Sequence, residues 1–382
     1  MKILYLLKHN PWGKGGGCFA CRAYMEAFLH IFNNAEFTFI ICSEYLSNMQ
    51  KTNINPRISY IGVNQRNIFS RILMPLTGIL CRHFETAKKT LYGNEFDYVI
   101  FDHSYLAGSL IKYAKRKKCK TITLHHNYEM DYFKDNHSKL LYTLMSRQIE
   151  VNERTSYYYS NYNIFLTSQD LSCFINHYGN TIANNHVIGS FEFKKIQYLD
   201  KPIPLDRIVI AITGSIGNVQ NMDGLNDFIT NYYKEIDINK YSIIIAGRNA
   251  PYEFIEKCKK IPNISIINNP DSMDEILSQS SIFLCTTKLG SGIKIRLMDG
   301  LRHGKPVITH INSSKGYEIF TKEGYMLTYS NPKEFSSCLL KISKLIMNDK
   351  NAVSKKIFDL YINNFSFDSG IKRLRTMLDI NQ

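Results

Sequence analysis

A chain of 382 residues exceeds one ordinary domain, and with 44% apolar and 13% aromatic residues it can bury two cores, which excludes a disordered chain. The formal net charge of +14 is shared between the two halves of the sequence, so it draws anions in general without choosing among phosphorylated small molecules, nucleic acid and an acidic membrane surface. Nine cysteines are scattered, and Cys18 and Cys21 have no second pair downstream to complete a zinc site, so they read as reduced thiols of a cytoplasmic protein.

In chain order, MKILYLL gives way at once to His9, Asn10 and Pro11. Such a run is too short for a signal peptide or a spanning helix and reads as a first buried strand over 2–7. HNPWGKGGGCFACRAYMEAF follows. Its Gly15, Gly16 and Gly17 let the backbone turn tightly and approach a ligand, with the amides of the next helix aimed at the same spot. The spacing is not GxGxxG, so a dinucleotide fingerprint is not matched and a plain flexible loop is the competing reading.

Apolar runs at 37–42, 97–102, 121–126 and 162–168 read as further buried parallel strands, separated by stretches of helical periodicity. Between them, residues 66–84 mix arginines with an apolar run, and KYAKRKKCK at 112–120 is strongly basic. Together they read either as a face for an anionic bilayer or as a packed helix and a solvated helix end. The run at 121–126, the fourth strand counting from 2–7, ends in His125 and His126, followed by Asn127, Tyr128 and Glu129. Strand alternation sends adjacent side chains to opposite faces, so one histidine can meet a ligand hydroxyl while the other packs.

Charge and two prolines mark a linker over 191–206, after which the alternation restarts with runs at 207–214, 241–247, 264–269, 281–287 and 306–311. The reading is α/β, two doubly wound domains over 1–190 and 207–362 facing across a cleft. The informative residues then follow each strand, because ligands bind beyond the carboxyl ends.

The most pointed stretch is GSGIKIRLMDGLRHGKPVIT at 290–309: strand, glycine turn, helix, stop, strand. Gly290 and Gly292 bare the backbone amides, and Lys294, expected in the first helical turn, puts a cation where the helix dipole disfavours one. An anionic ligand such as a phosphate explains that placement. Asp299, two turns after Gly292 and so on its face, offers two acceptor oxygens to a ribose diol. Arg296 is expected elsewhere on the helix, in a solvated role.

These residues resemble the donor-binding segment of the group 1 (family 4) glycosyltransferases. GSIGNVQNMDGLNDFI at 214–229, with Asn221 and Asp223, is similar to the start of that family's second domain; HHNYEMDYF at 125–133 and residues 149–174 are similar to two segments of its first. The resemblance implies the GT-B fold, two Rossmann-like domains with a terminal helix over 363–382 returning to the first, and retention of anomeric configuration without a bound metal. It implies a nucleoside-diphosphate sugar as donor, UDP being the commonest, with no other cofactor. The acceptor would be a hydroxyl of a lipid-linked glycan or oligosaccharide in bacterial surface polysaccharide assembly, at the cytoplasmic side of the membrane.

Carried over by position, the resemblance makes His126, with His125 as fallback, and Lys294 the catalytic residues. Gly16, Gly17, Gly214, Arg248, Gly292, Ile293, Lys294 and Asp299 become the nucleotide-sugar contacts. The sequence departs from the family pattern in three ways: TKLGSG lacks the usual acid eight residues before Asp299, Asp stands there for the usual Glu, and GSIGNVQNMDGL lacks the usual Arg and Lys pair. Lys294 and Arg248 are left to neutralise the diphosphate. A sugar-nucleotide epimerase or phosphorylase would use the same residues. A nucleic-acid binder is the non-enzyme rival, and no zinc pattern, aromatic RNA-binding motif or basic repeat supports one.

Overall fold

The computed structural model describes residues 1–13, 15–52, 55–64, 73–198, 207–290 and 292–380. The chain divides into two compact units, Met1–Lys194 with Gly370–Gln382, and Lys195–Ser369.

Unit 1 is built on seven parallel strands in the order β3-β2-β1-β4-β5-β6-β7. These are β1 (Lys2–Leu6), β2 (Glu36–Cys42), β3 (Ile58–Val63), β4 (Tyr98–Phe101), β5 (Lys120–His125), β6 (Tyr162–Phe165) and β7 (Asn184–Val187). The order reverses between β1 and β4, which pair directly, so the loops leaving those two strands diverge at a switch point. The central strands are apolar on both faces because helices cover both, and Ile3–Leu6 and Val99–Phe101 are buried throughout.

The helices of unit 1 are α1 (Gly16–Ile31), α2 (Ser43–Thr52), α3 (Met74–Thr77), α4 (Phe84–Gly93), α5 (Ser104–Arg116), α6 (Glu129–Asn136), α7 (Lys139–Tyr159) and α8 (Ser168–Tyr178). Unit 2 repeats the design with six parallel strands in the order β10-β9-β8-β11-β12-β13. They are β8 (Ile208–Gly214), β9 (Tyr241–Gly247), β10 (Ile264–Asn268), β11 (Ile282–Cys285), β12 (Val307–His310) and β13 (Met326–Tyr329). Its helices include α9 (Val219–Asp227), α10 (Tyr252–Lys259), α11 (Met273–Ser278), α12 (Arg296–Arg302), α13 (Glu318–Lys322) and α14 (Pro332–Phe365), which is broken at Asp349.

Three strands escape the sequence reading: β3, β7 and β13. Two of them are the sheet edges in unit 1, and β13 is one of the two edges in unit 2. Edge strands are half exposed and need no continuous apolar run; β7 reads Asn-Asn-His-Val. His125 and His126 therefore follow the fifth strand, not the fourth. The expected strands over 162–168 and 281–287 each end early, at Phe165 and Cys285. In the first case Thr167 turns the chain, its hydroxyl accepting from the Asp170 amide at 3.0 Å to cap α8.

The expected linker begins too early. Phe191 is fully buried against Tyr24, with ring centroids 4.9 Å apart, and Phe193 packs on Phe19 at 5.5 Å. Both belong to unit 1; residues 199–206, with the two prolines, lie outside the described residues. Residues 363–380 are not one helix, because Ser366 is extended between α14 and α15 (Phe367–Met377). Ile371, Leu374 and Met377 of α15 are buried.

Candidate functional site

In unit 2 the carboxyl ends of β8, β9 and β11 converge. The Arg248 amide donates to the Gly214 carbonyl at 3.1 Å, and the Gly217 amide donates to the Arg248 carbonyl at 3.2 Å, tying the two loops together. A Cβ on Gly247 would lie 2.0 Å from that same Gly214 oxygen, so only glycine allows the approach. Gly214 has a φ of +145°, a region closed to most side chains. Above it lies Arg296: a Cβ on Gly214 would stand 2.9 Å from Arg296 Nη1, which donates to Thr287 Oγ1 at 3.2 Å. Thr287 in turn donates to Asn221 Oδ1 at 3.2 Å, and Asn221 Nδ2 donates to the Ser215 carbonyl at 2.7 Å. A half-buried guanidinium is thus fixed over a bare backbone turn, where it can meet a phosphate or sugar oxygen.

Gly290 (φ +87°) and Gly292 (φ +76°) form the turn before α12, and Ser291 lies outside the described residues. Lys294 is not in the first helical turn. α12 starts at Arg296 and is only seven residues long, so Lys294 sits in the preceding loop with Ile293. Lys294 Nζ donates to the Gly290 carbonyl at 2.8 Å, and the Lys294 carbonyl accepts from Tyr317 at 3.0 Å. The same carbonyl accepts from the Leu297 amide at 2.9 Å, a tight turn that leads into α12.

The positions of Arg296 and Asp299 differ from the sequence reading. Arg296, expected on the solvated side, is the residue aimed at Gly214. Asp299 is half-buried and its Oδ1 lies 3.2 Å from Arg302, one turn on, with Arg302 also 3.2 Å from Asp274. Arg248 is half-buried in the loop after β9, and its guanidinium has no hydrogen bond or ion pair among the described residues.

In unit 1 the carboxyl ends of β1, β4 and β5 bring together Lys8, His9, Asp102, His103 and His126, with Glu129 from α6. His126 Nε2 is 3.2 Å from Asp102 Oδ1. The carboxylate can only accept, so Nε2 carries the proton and Nδ1 becomes an acceptor, buried and without a partner among the described residues. A ligand hydroxyl can donate to it.

His103 Nδ1 accepts from the Tyr105 amide at 3.2 Å and its Nε2 lies 3.0 Å from Glu129, with Lys8 Nζ 2.8 Å from the same nitrogen. Burial lowers the His9 pKa to about 3 and the His103 pKa to about 4, with the Lys8 charge adding to both. Burial opposes the charge on Asp102, yet His126 beside it outweighs that and holds its carboxyl below the ordinary range.

The His126 ring lies 5.7 Å from His9, and a Cβ on Gly17 would be 3.1 Å from His9 Nε2. The glycine loop therefore lies flat on His9. Gly16 and Gly17 open α1, whose first turn has neither an acid nor a side-chain cap, leaving its amides for an anion. His125 goes the other way. Its Nε2 is 3.0 Å from Asn163 Oδ1 and its ring packs at 4.8 Å on Phe165 and 4.7 Å on Phe174, in the core.

Residues 207–344 match the family of glycosyl transferases, group 1. The second unit thus carries a group 1 glycosyl transferase segment. No curated protein matches it. Among solved structures it is similar to HepE of Anabaena in complex with UDP, at 10% identity and a TM-score of 0.69 over 99% of this chain and 100% of that one. It is similar to a sucrose-phosphate synthase from Thermosynechococcus elongatus at 11% identity and a TM-score of 0.69, over 99% of this chain and 98% of that one. The lipopolysaccharide outer core galactosyltransferase WaaB in its apo form is 14% identical, with a TM-score of 0.67 over 99% of both chains. At these identities the likeness shows the fold, which is GT-B.

The sequence reading missed Arg296, Thr287 and Asp102 as site residues. Asp102 had a legible signal, an acid directly after a strand predicted to be buried. Arg296 had none, because its surroundings, Thr287 and Gly214, come from other strands' loops.

Proposed function

We propose that the protein transfers a sugar from a nucleoside-diphosphate sugar, with UDP as the base carrier, to a hydroxyl of a lipid-linked or polysaccharide precursor in surface glycan assembly on the cytoplasmic side of the membrane. The observation that carries the reading is the Arg296 guanidinium held over Gly214 by Thr287, beside the two positive-φ glycines of the 290–292 turn. As the glycosidic bond breaks, charge grows on the leaving phosphate, and fixed donors lower that barrier. Arg296, Lys294 and the amides near Gly292 supply them, with Arg248 as a further cation. Asp299 retains an oxygen for the ribose.

In unit 1, His126 Nδ1 accepts a sugar hydroxyl and the amides at Gly16 and Gly17 receive an anionic group. Retention of configuration and the absence of any resident cofactor are part of the proposal. The HepE complex with UDP and the HepE complex with UDP-glucose support the choice of base.

Ligand-observed NMR of the purified protein against UDP-, GDP-, ADP- and CMP-sugars tests it. Selective binding of one donor, lost in Lys294→Ala and Arg296→Ala, is expected. No binding to any of the four would refute the donor site.

A further inference from the structure

The outer face of α7 carries a feature that sugar transfer itself does not use. Taking 100° per residue, Leu140, Leu144, Arg147, Val151, Arg154 and Tyr158 fall within about 80° of one another on this helix and span about 27 Å of its length. All six are exposed, Leu140 to 73% and Leu144 to 56%. Neither arginine has an ion pair among the described residues. The helix has two acids: Glu153 is buried, and Glu150 is half-buried at the edge of the stripe, about 40° from Arg154 and about 80° from Leu140. An ordinary solvated helix face alternates charges of both signs; this one alternates leucine, valine and tyrosine with arginine alone.

The neighbouring surface continues the pattern. α3 is tied to α7 by Gln148 Nε2 donating to the Pro75 carbonyl at 2.7 Å, and it exposes Leu73 and Leu76, the latter to 81%. At the other end of α7, Arg154 and Lys112 share with Tyr158 and Tyr159 the wall of a cavity of about 560 Å³. The Lys112 ammonium stands 5.2 Å from the Tyr159 ring centroid. Because Tyr159 precedes β6 and the loop at 180–182 precedes β7, the cavity opens at the amino ends of the unit 1 strands, opposite His126. It is a separate place from the transfer site.

The geometry points to docking of unit 1 on an anionic lipid surface through the α7 face, with the apolar side chains entering the headgroup boundary and Arg147, Arg154 and Lys112 meeting lipid phosphates. Charge selects the occupant. An apolar patch alone would suit a second copy of the chain, whereas a row of cations interleaved with leucines, with one half-buried acid at its edge, complements negatively charged headgroups and would repel its own copy. Of the basic run 112–120 only Lys112 takes part; Lys115, Arg116, Lys117 and Lys118 lie at and beyond the exposed end of α5. The inference deepens the lipid-linked acceptor proposed above and rests on it for its purpose, yet it can be measured without any donor.

The test is flotation of the full chain with vesicles of phosphatidylcholine containing phosphatidylglycerol, against phosphatidylcholine alone, at low salt. The expected result is flotation with the anionic vesicles only. Arg147→Glu with Arg154→Glu should lower partitioning by about fivefold per cation or more, and Leu140→Ser with Leu144→Ser by about tenfold. All four positions are exposed, so the variants should keep the wild-type thermal midpoint and the wild-type NMR response to the donor, which separates this inference from the donor reading. Wild-type protein that stays unbound, or variants that float as well as wild type, would overturn it. So would a lipid-free wild-type dimer that the leucine variant dissociates.

Discussion

Replacing Arg296 by alanine separates the structural account of the donor site from the one the sequence offers. The side chain is half-buried, its Nη1 donates to Thr287 Oγ1 at 3.2 Å, and it has no ion pair among the described residues. Its removal therefore strands no buried carboxylate, and Thr287 keeps its bond to Asn221. The stability cost should stay near that of one hydrogen bond, about 1 kcal/mol. A hydrogen bond to a charged group contributes about 1.5–3 kcal/mol, so if the guanidinium meets the diphosphate the donor Kd should rise by about 10- to 150-fold.

Isothermal titration of the nucleotide, with a melting curve on the same sample, gives both numbers. Arg296→Lys should recover part of the loss, since a point charge replaces a fork. A Kd within about twofold of wild type, with Asp299→Ala far weaker, would refute the argument and return the site to the face first read from sequence.

Other expectations follow from the same geometry. Gly247→Ala should destabilise unit 2 by about 3 kcal/mol or prevent folding, because its Cβ would stand 2.0 Å from the Gly214 carbonyl oxygen; a wild-type melting temperature would contradict the close approach. Asp102→Asn should exchange the His126 tautomer, leaving Nδ1 protonated. The check is imidazole ¹⁵N NMR, which should report Nε2–H in wild type and Nδ1–H in the variant, with turnover falling alongside.

Acid should also weaken unit 1. His9 and His125, held at about 3, and His103, at about 4, stay neutral when folded but take up protons below about 6.5 when unfolded. Glu153 acts in the opposite sense, since burial raises its pKa well above the usual carboxylate range. Three groups against one leave a net loss of roughly 2–3 kcal/mol per pH unit between about pH 6 and 4.5. Calorimetry across that range should show a falling midpoint, and a flat profile would dismiss the cluster as neutral.

How much of this was written in the sequence depends on the kind of interaction. Buried parallel strands announce themselves, since both faces must be apolar, and β1, β5, β8 and β9 stand where their runs are. Edge strands do not, which is why β7 passed unread. Adjacent His125 and His126 could be assigned to opposite faces by alternation, but which faces a ligand depended on Phe165, Phe174 and Asp102 arriving from other elements.

The 290–304 stretch shows the limit most clearly. Its glycines and charges signalled an anion, but its helix begins only at Arg296, and Lys294 is held before it by bonds to Gly290 and to Tyr317, the second across 23 residues. Arg296 is directed by its tertiary partners, Thr287 after β11 and the bare backbone of Gly214 after β8, which no periodicity within 290–304 contains. Chemistry was legible at the level of residue type, while direction was decided by a threonine and a glycine from other loops that sequence periodicity could not connect to it.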